Sequence, residues 1–338
     1  MSESNFATDR RRFIAGAGGG LLGLSALGAL GLPLRASAAQ WPDRTVRFVT
    51  YSGAGDPVDL RLRDFLQSLA HEYRNTPMIV ENKTGAAGQI AAQSVLLAPP
   101  EGYDFLLANA TFTITPSYFR KLAYKPLSDF VPVALSGSAP IGFAVPASNP
   151  ARTFKEWVAW AKQQRGTLNY ASLGNGSVSH LYGFQIRDDF KLDATHIPYK
   201  ASGAALIDML RGQISYVMLD TFNLRPLLAK NQVRILAVTG ADRSQYLPDV
   251  PTFRELGFNG YERTGWTAFM AKTGTPTDIV ASLNRSINKI NATPEWSRKR
   301  DEVWSGWKPL TPAELQQQLQ SEVAAWGDLV RRSGVFGD

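Results

Sequence analysis

From Val46 to Thr239 the chain alternates short apolar runs with longer stretches in which apolar residues return every three or four positions. The runs are Val46 to Thr50, Met78 to Glu81, Phe105 to Asn109, Val131 to Leu135, Gly142 to Val145, Leu168 to Ala171, His196 to Tyr199, Tyr216 to Asp220 and Ile235 to Thr239. Short runs of near-uniform apolarity predict strands covered on both faces, and the periodic stretches predict the covering helices: an α/β fold with mainly parallel sheets. Trp266 to Ala271 predicts one more strand, after which only the helical period remains. Thr275-Pro276-Thr277-Asp278 and Thr311-Pro312-Ala313-Glu314 mark two helix starts. In the second of these helices Leu315, Leu319, Val323, Trp326 and Val330 share one face. Thr153 with Glu156, and Thr252 with Glu255, have capping-box spacing and are structural on that reading. Trp157 and Trp160 belong to the core face of the helix after Thr153.

No glycine-rich linker divides this pattern. The chain therefore reads as two lobes joined by strands that cross between them, with a helical C-terminal extension returning to the first lobe. Residues 39–138 and 265–338 are assigned to lobe 1 and residues 139–264 to lobe 2. A cleft with a hinge suits capture of a small ligand by closure.

The N-terminus reads differently. Asp9-Arg10-Arg11-Arg12-Phe13-Ile14 precedes a neutral Gly, Ala and Leu stretch and then Ala36-Ser37-Ala38. These are the charged front, apolar middle and small-residue cleavage site of an export signal, and the paired arginines suit the twin-arginine route. Residues 1–38 are read as cleaved after Ala38, giving a periplasmic mature chain. Their removal takes away four arginines and two acids and lowers the net charge from +7 to +5. The charges that remain alternate in sign along the helices without a basic block, so nucleic acid is not expected as a partner. A mildly positive field favours small anions. The chain has no cysteine, so disulfides and a cysteine-linked lipid are excluded.

Reactive groups are sparse. The three histidines are His71, His180 and His196. His71 lies at a solvated helix end, and His196 reads as a structural strand residue. His180 follows Ser177 and Ser179, but there is no G-x-S-x-G elbow and no third group to complete a nucleophile and base, so a secreted serine hydrolase is the weaker alternative. No metal-ligand spacing occurs and no catalytic residue, metal or cofactor is expected. Gly53-Ala54-Gly55-Asp56-Pro57-Val58 breaks the dinucleotide fingerprint at its third glycine.

Two loops remain as candidate chemistry. Ala171-Ser-Leu-Gly-Asn-Gly-Ser-Val-Ser-His180 separates a strand from a helix and offers backbone N–H groups at the helix start, with Gly174, Asn175 and Gly176 suited to positive backbone angles. Tyr51-Ser-Gly-Ala-Gly-Asp-Pro57 follows the first strand in the same way. Two such cradles facing each other can hold one carboxylate with N–H groups and helix dipoles alone.

Trp41-Pro-Asp-Arg-Thr-Val-Arg47, Val80-Glu-Asn-Lys-Thr-Gly-Ala-Ala-Gly88, Pro100-Glu-Gly-Tyr103, Leu168-Asn-Tyr-Ala-Ser172 with Gly174-Asn-Gly176, Ile197-Pro-Tyr-Lys200, Leu236-Ala-Val-Thr239, Leu247-Pro-Asp-Val-Pro-Thr252 and Gly274-Thr-Pro276 stand in order along the mature chain. Together they resemble the Bug-type solute receptors of tripartite tricarboxylate transporters. The resemblance implies a monomeric two-lobed periplasmic-binding-protein (Venus-flytrap) fold that takes a small carboxylate between its lobes and delivers it to transporter membrane subunits. A sensor that presents its closed form to a signalling partner is the alternative on the same fold. By position, Ser52, Gly53, Ala54 and Gly55 would form one grip and Ser172, Asn175, Gly176 and Ser177 the other. Thr111 and Asp220 match positions that line the cleft, Tyr51 and Tyr199 are candidate walls with Phe112, Phe222 and Trp266, and Asp59 matches a family aspartate.

Asp56 departs from the family, standing where a glycine is usual. A carboxylate about 4 Å from a ligand carboxylate costs on the order of 4 kcal/mol at an effective dielectric near 20. On that argument Asp56 faces solvent, caps the helix at Pro57, or meets a donor or cation on the ligand. The ligand is accordingly read as a mono- or dicarboxylate, aromatic and amino-bearing acids included, and a monocarboxylate is preferred to a citrate-like polyanion.

Overall fold

The computed structural model describes residues 41–164 and 166–337; the export-signal reading of residues 1–38 lies outside them. Each expected strand forms. The first sheet contains β1 (Val46–Thr50), β2 (Met78–Asn82), β3 (Asp104–Asn109), β4 (Phe130–Ala139) and β10 (Gly265–Lys272), in the order β2-β1-β3-β10-β4. The second contains β5 (Ile141–Pro146), β6 (Leu168–Ser172), β7 (Ala194–Pro198), β8 (Tyr216–Asp220) and β9 (Val233–Val238), in the order β7-β6-β8-β5-β9.

The two orders repeat one plan. In each sheet four strands run the same way, and one strand, β10 or β5, enters from the other lobe and runs against its neighbours. The sheets are therefore mixed in pairing, more so than uniform apolar runs suggest, because periodicity reports burial on both faces and is blind to strand direction. One chain crossing passes through Pro140, between β4 and β5. The other is the segment between β9 and β10.

Helices cover both faces of each sheet. On the first sheet α1 (Pro57–Glu72) and α9 (Thr277–Asn291) pack Phe65, Leu66, Leu69, Leu283 and Ile287 against Phe48, Phe105 and Phe269. On its other face lie α2 (Gln89–Leu96), α3 (Thr111–Tyr118) and the first half of α11 (Pro312–Ser333). On the second sheet α5 (Phe154–Ala161) and α6 (Val178–Asp189) cover one face, and α7 (Ser202–Leu210) and α8 (Thr221–Ala229) the other.

The starts of α5 and α11 follow their local chemistry. Thr311 and Glu314 form a full capping box at the start of α11, and Thr153 accepts the Glu156 N–H at the start of α5. Thr252 and Glu255 exchange the same pair of bonds, at 2.8 and 3.1 Å, yet close a turn and no helix. Gly257 takes φ +86° two residues on, and the Phe258 N–H returns to the Phe253 carbonyl, which stops propagation.

The amphipathic face of α11 is split between the lobes. Leu315 and Leu319 are buried with Trp266 and Phe112 of the first lobe, whereas Trp326, Leu329 and Val330 are buried with Phe143, Trp157 and Tyr182 of the second. Val323 at the change-over is only half-buried, and Glu322 beside it is buried, accepting from Trp266 Nε1 at 2.7 Å. The C-terminal helix is thus a strut shared by both cores, not an appendage of one.

Candidate functional site

In each sheet the first and third strands of its βαβ series lie side by side, with their helices leaving in opposite directions. Loops at the carboxyl ends of such neighbours splay apart and leave a crevice. The loops after β1, β3, β6 and β8 all open into one cavity of about 740 Å³ walled by both lobes, within the range of small-molecule sites. Tyr51, Asn109 and Thr111 line it from the first lobe; Gly174, Asn175, Ser177, Ser179, Asp220 and Phe222 line it from the second. Ser136, Trp266 and Thr267 lie at the crossing strands. Ser136 is exposed to the cavity by a bulge: Gly137 and Leu135 pair with consecutive residues Thr267 and Ala268, so Ser136 is skipped.

Of the residues expected to hold a ligand, Tyr51, Thr111, Asn175, Ser177 and Asp220 line this cavity, and so do the candidate walls Phe222 and Trp266. Ser52, Gly53, Ala54, Gly55, Asp56, Ser172, Gly176 and Tyr199 are not among its walls. The reason differs in each loop.

The first loop spends its donors on itself. Gly53 N–H donates to the Asp56 carboxylate at 2.7 Å, Gly55 N–H to Asp59 at 2.8 Å, and Ser52 N–H to Thr50 Oγ1 at 3.3 Å. The Asp56 side chain makes no cap bond to α1 and is not among the cavity walls; it is exposed to solvent, and its carboxylate folds back over its own loop. Asp59 is buried and also accepts from Arg63 at 3.0 Å and Asn82 at 2.9 Å, tying loop, helix and β2 together. Burial opposes its charge, but these bonds hold its carboxyl below the usual carboxylate range. Tyr51 is set by Gly88, where φ is +90° and an added Cβ would meet its ring at 3.0 Å, and it accepts the Asn109 N–H.

The second loop is braced by two stacked histidines. Their rings lie 3.9 Å apart at 16°. His180 Nδ1 accepts the Gly176 N–H at 3.1 Å, and His196 Nε2 bonds Ser172 Oγ at 2.6 Å. Ser177 Oγ donates to the Gly174 carbonyl at 2.7 Å and accepts the His180 N–H. Ser177 and His180 therefore serve as a helix cap and a loop brace, and their side chains do not meet as nucleophile and base. Of the first-turn N–H groups of α6, those of Val178 and Ser179 are left without a partner among the described residues, and both residues line the cavity. Tyr199 donates to Asp208 at 2.8 Å and is held against α7.

Burial, then its neighbours His196 and Arg187, push His180 down to about 3; burial and Arg187 push His196 down to about 4. Both are neutral in the fold. Unfolded histidine titrates near 6.5, so their contribution is complete above that value and is lost as pH falls toward 4, by on the order of 2 kcal/mol for His180 at pH 5. Asp220, pushed up to about 6 by burial, works in the opposite direction over the same range. The histidines are therefore read by difference: going from pH 7.5 to 5, native protein should lose several degrees of melting temperature relative to His180→Asn, whose amide oxygen keeps an acceptor for Gly176. Parallel pH curves would refute the bracing role.

Asn109 and Ser136 are cavity-lining residues that pattern reading missed. Asn109 Oδ1 accepts the Thr111 N–H at 2.9 Å and so orients the start of α3; its signal was an Asn at the end of an apolar run before a helix. Ser136 had none, because a bulge arises from pairing with a distant strand. Among the described residues no group of three or more His, Asp or Glu is placed to hold a metal ion.

The sequence profile of the family described as "Tripartite tricarboxylate transporter family receptor" matches residues 63–335. BugT of Bordetella pertussis is 28% identical over 90% of this chain and 94% of its own length. Among solved structures, an R. palustris protein with adipate is 29% identical, with a TM-score of 0.79 over 88% of this chain and 99% of that one. MatC from Rhodopseudomonas palustris with bound malate is 30% identical, with a TM-score of 0.76 over 86% and 99%. Two lobes repeating one strand order, a cleft at their carboxyl ends and a match over residues 63–335 place the chain: it belongs to the tripartite tricarboxylate transporter family of receptors and is Bug-type.

Proposed function

We propose that this protein is a periplasmic receptor that captures a small carboxylate between residues 39–138 with 265–338 on one side and 139–264 on the other, and presents it to the membrane subunits of a tripartite transporter. The observation that carries the reading is the unspent first turn of α6: Val178 and Ser179, whose N–H groups have no partner among the described residues, line a cavity whose other wall brings Thr111 and Tyr51. A helix N-terminus with free donors is a ready anion site, and a two-walled cleft lets closure complete it. Similar proteins solved with adipate and with bound malate support the ligand class. Export follows from the N-terminal pattern. Calorimetry of the mature protein against mono- and dicarboxylates should find at least one with a Kd in the micromolar range or tighter, about −8 kcal/mol. Folded protein that binds no carboxylate, and yields none on mass spectrometry of natively purified material, would defeat the proposal.

A further inference from the structure

Arg61 lies on α1, on the cavity wall beside Asp64 and near Gly137 and Ser305. Its Nη2 is fully buried and has no hydrogen-bond partner among the described residues. The position is built around the guanidinium. A Cβ at Gly137 would lie 2.7 Å from Ser305 Oγ and 3.4 Å from Nη2, so the glycine makes room for Ser305 beside the head group.

The carboxylates nearby do not neutralise it. Asp64 is held by Lys299 at 2.8 Å, and Asp301 accepts from Tyr246 Oη at 2.6 Å. Asp220 and Glu302, the other acids on the cavity wall, make no ion pair among the described residues. Arg300 adds a second positive charge, and burial with that repulsion disfavours the protonated form of Arg61. The residue as a whole is half-buried, with Nη2 closed off from solvent; a partly buried guanidinium without a counter-ion carries a desolvation cost that a bidentate carboxylate offsets. A fold keeps such a group where a ligand supplies the missing charge.

We infer that Arg61 is the counter-ion for a second anionic group on the ligand, on the α1 wall of the cavity, and selects acids with two negative groups over monoacids of the same length. This rests on the carboxylate-receptor reading and deepens it. It also reverses the preference for a monocarboxylate that Asp56 suggested, since Asp56 is satisfied by its own loop.

The test is calorimetry with matched pairs, butyrate with succinate, hexanoate with adipate and benzoate with phthalate, on native protein and Arg61→Gln. The expected result is a native preference for the diacid of at least one pair, a loss of thirtyfold or more for that diacid in Arg61→Gln, and unchanged affinity for its monoacid. Ligand-free Arg61→Gln should melt at or above the native temperature, since the substitution removes an unpaired, partly buried charge. Equal diacid affinity in the two proteins, or a native preference for monoacids, would overturn the assignment and leave the receptor reading standing. A marked fall in ligand-free melting temperature with equal loss of both acids would make Arg61 structural and overturn it too. No binding of any acid by folded native protein defeats both readings.

Discussion

Gly176→Val is expected to weaken carboxylate binding by at least a hundredfold while the protein remains folded. Gly176 has φ +74°, a conformation that a β-branched residue adopts only under strain, on the order of 1–2 kcal/mol or more. The larger effect lies between the lobes. A Cβ there would stand 2.8 Å from the ring of Tyr118 at the end of α3, in the opposite lobe. Sequence alone suggests that this glycine admits a ligand to its backbone. The structure gives another cause, because its N–H already donates to His180 and its bare α-carbon receives the Tyr118 ring. The two causes separate in a double mutant: Tyr118→Ala should restore part of the binding lost in Gly176→Val if the collision of lobes is responsible. Unchanged affinity in the single variant would remove Gly176 from the closing surface altogether.

Trp326→Ala should cost about 3–5 kcal/mol of unfolding free energy, measured by urea denaturation. The indole is fully buried, packs edge-on against Tyr182 at 5.0 Å between centroids and lies under the Arg263 guanidinium at 4.7 Å. It anchors the second half of α11 in the far lobe, while Leu315 and Leu319 anchor the first half in the near one. Loss of the anchor should therefore separate the unfolding of the lobes, seen as a broadened or two-step transition. A cost below about 1 kcal/mol would mean that the helix is docked by its other contacts and Trp326 is not the strut's foot.

How far the sequence reached can be judged from particular residues. Thr311 and Glu314 form the capping box their spacing announces, because a cap closes within four residues and needs no distant partner. Gly174 and Gly176 take the positive φ angles expected of the cradle for the same local reason. Thr252 and Glu255 make the expected bonds without the helix, since the following turn is drawn to β9 by the pairing of Thr252 with Val238. Asp56 is the sharper case. Its sequence position left three roles open, and the structure takes a variant of one, a carboxylate turned onto the N–H of Gly53.

The sequence by itself determined where the strands and most helices lie, which residues are core, and that two glycine-bearing loops follow first strands, because these features depend on periodicity and on bonds closed within a few residues. Only the tertiary structure decided which loop donors remain for a ligand, that α11 braces both lobes, that Ser136 is bulged into the cleft, and that Arg61 Nη2 is buried without a partner among the described residues. Each of those depends on competition among acceptors or neighbours far apart in the chain. Such competition is settled only when the sheets and the strut have brought the competitors together.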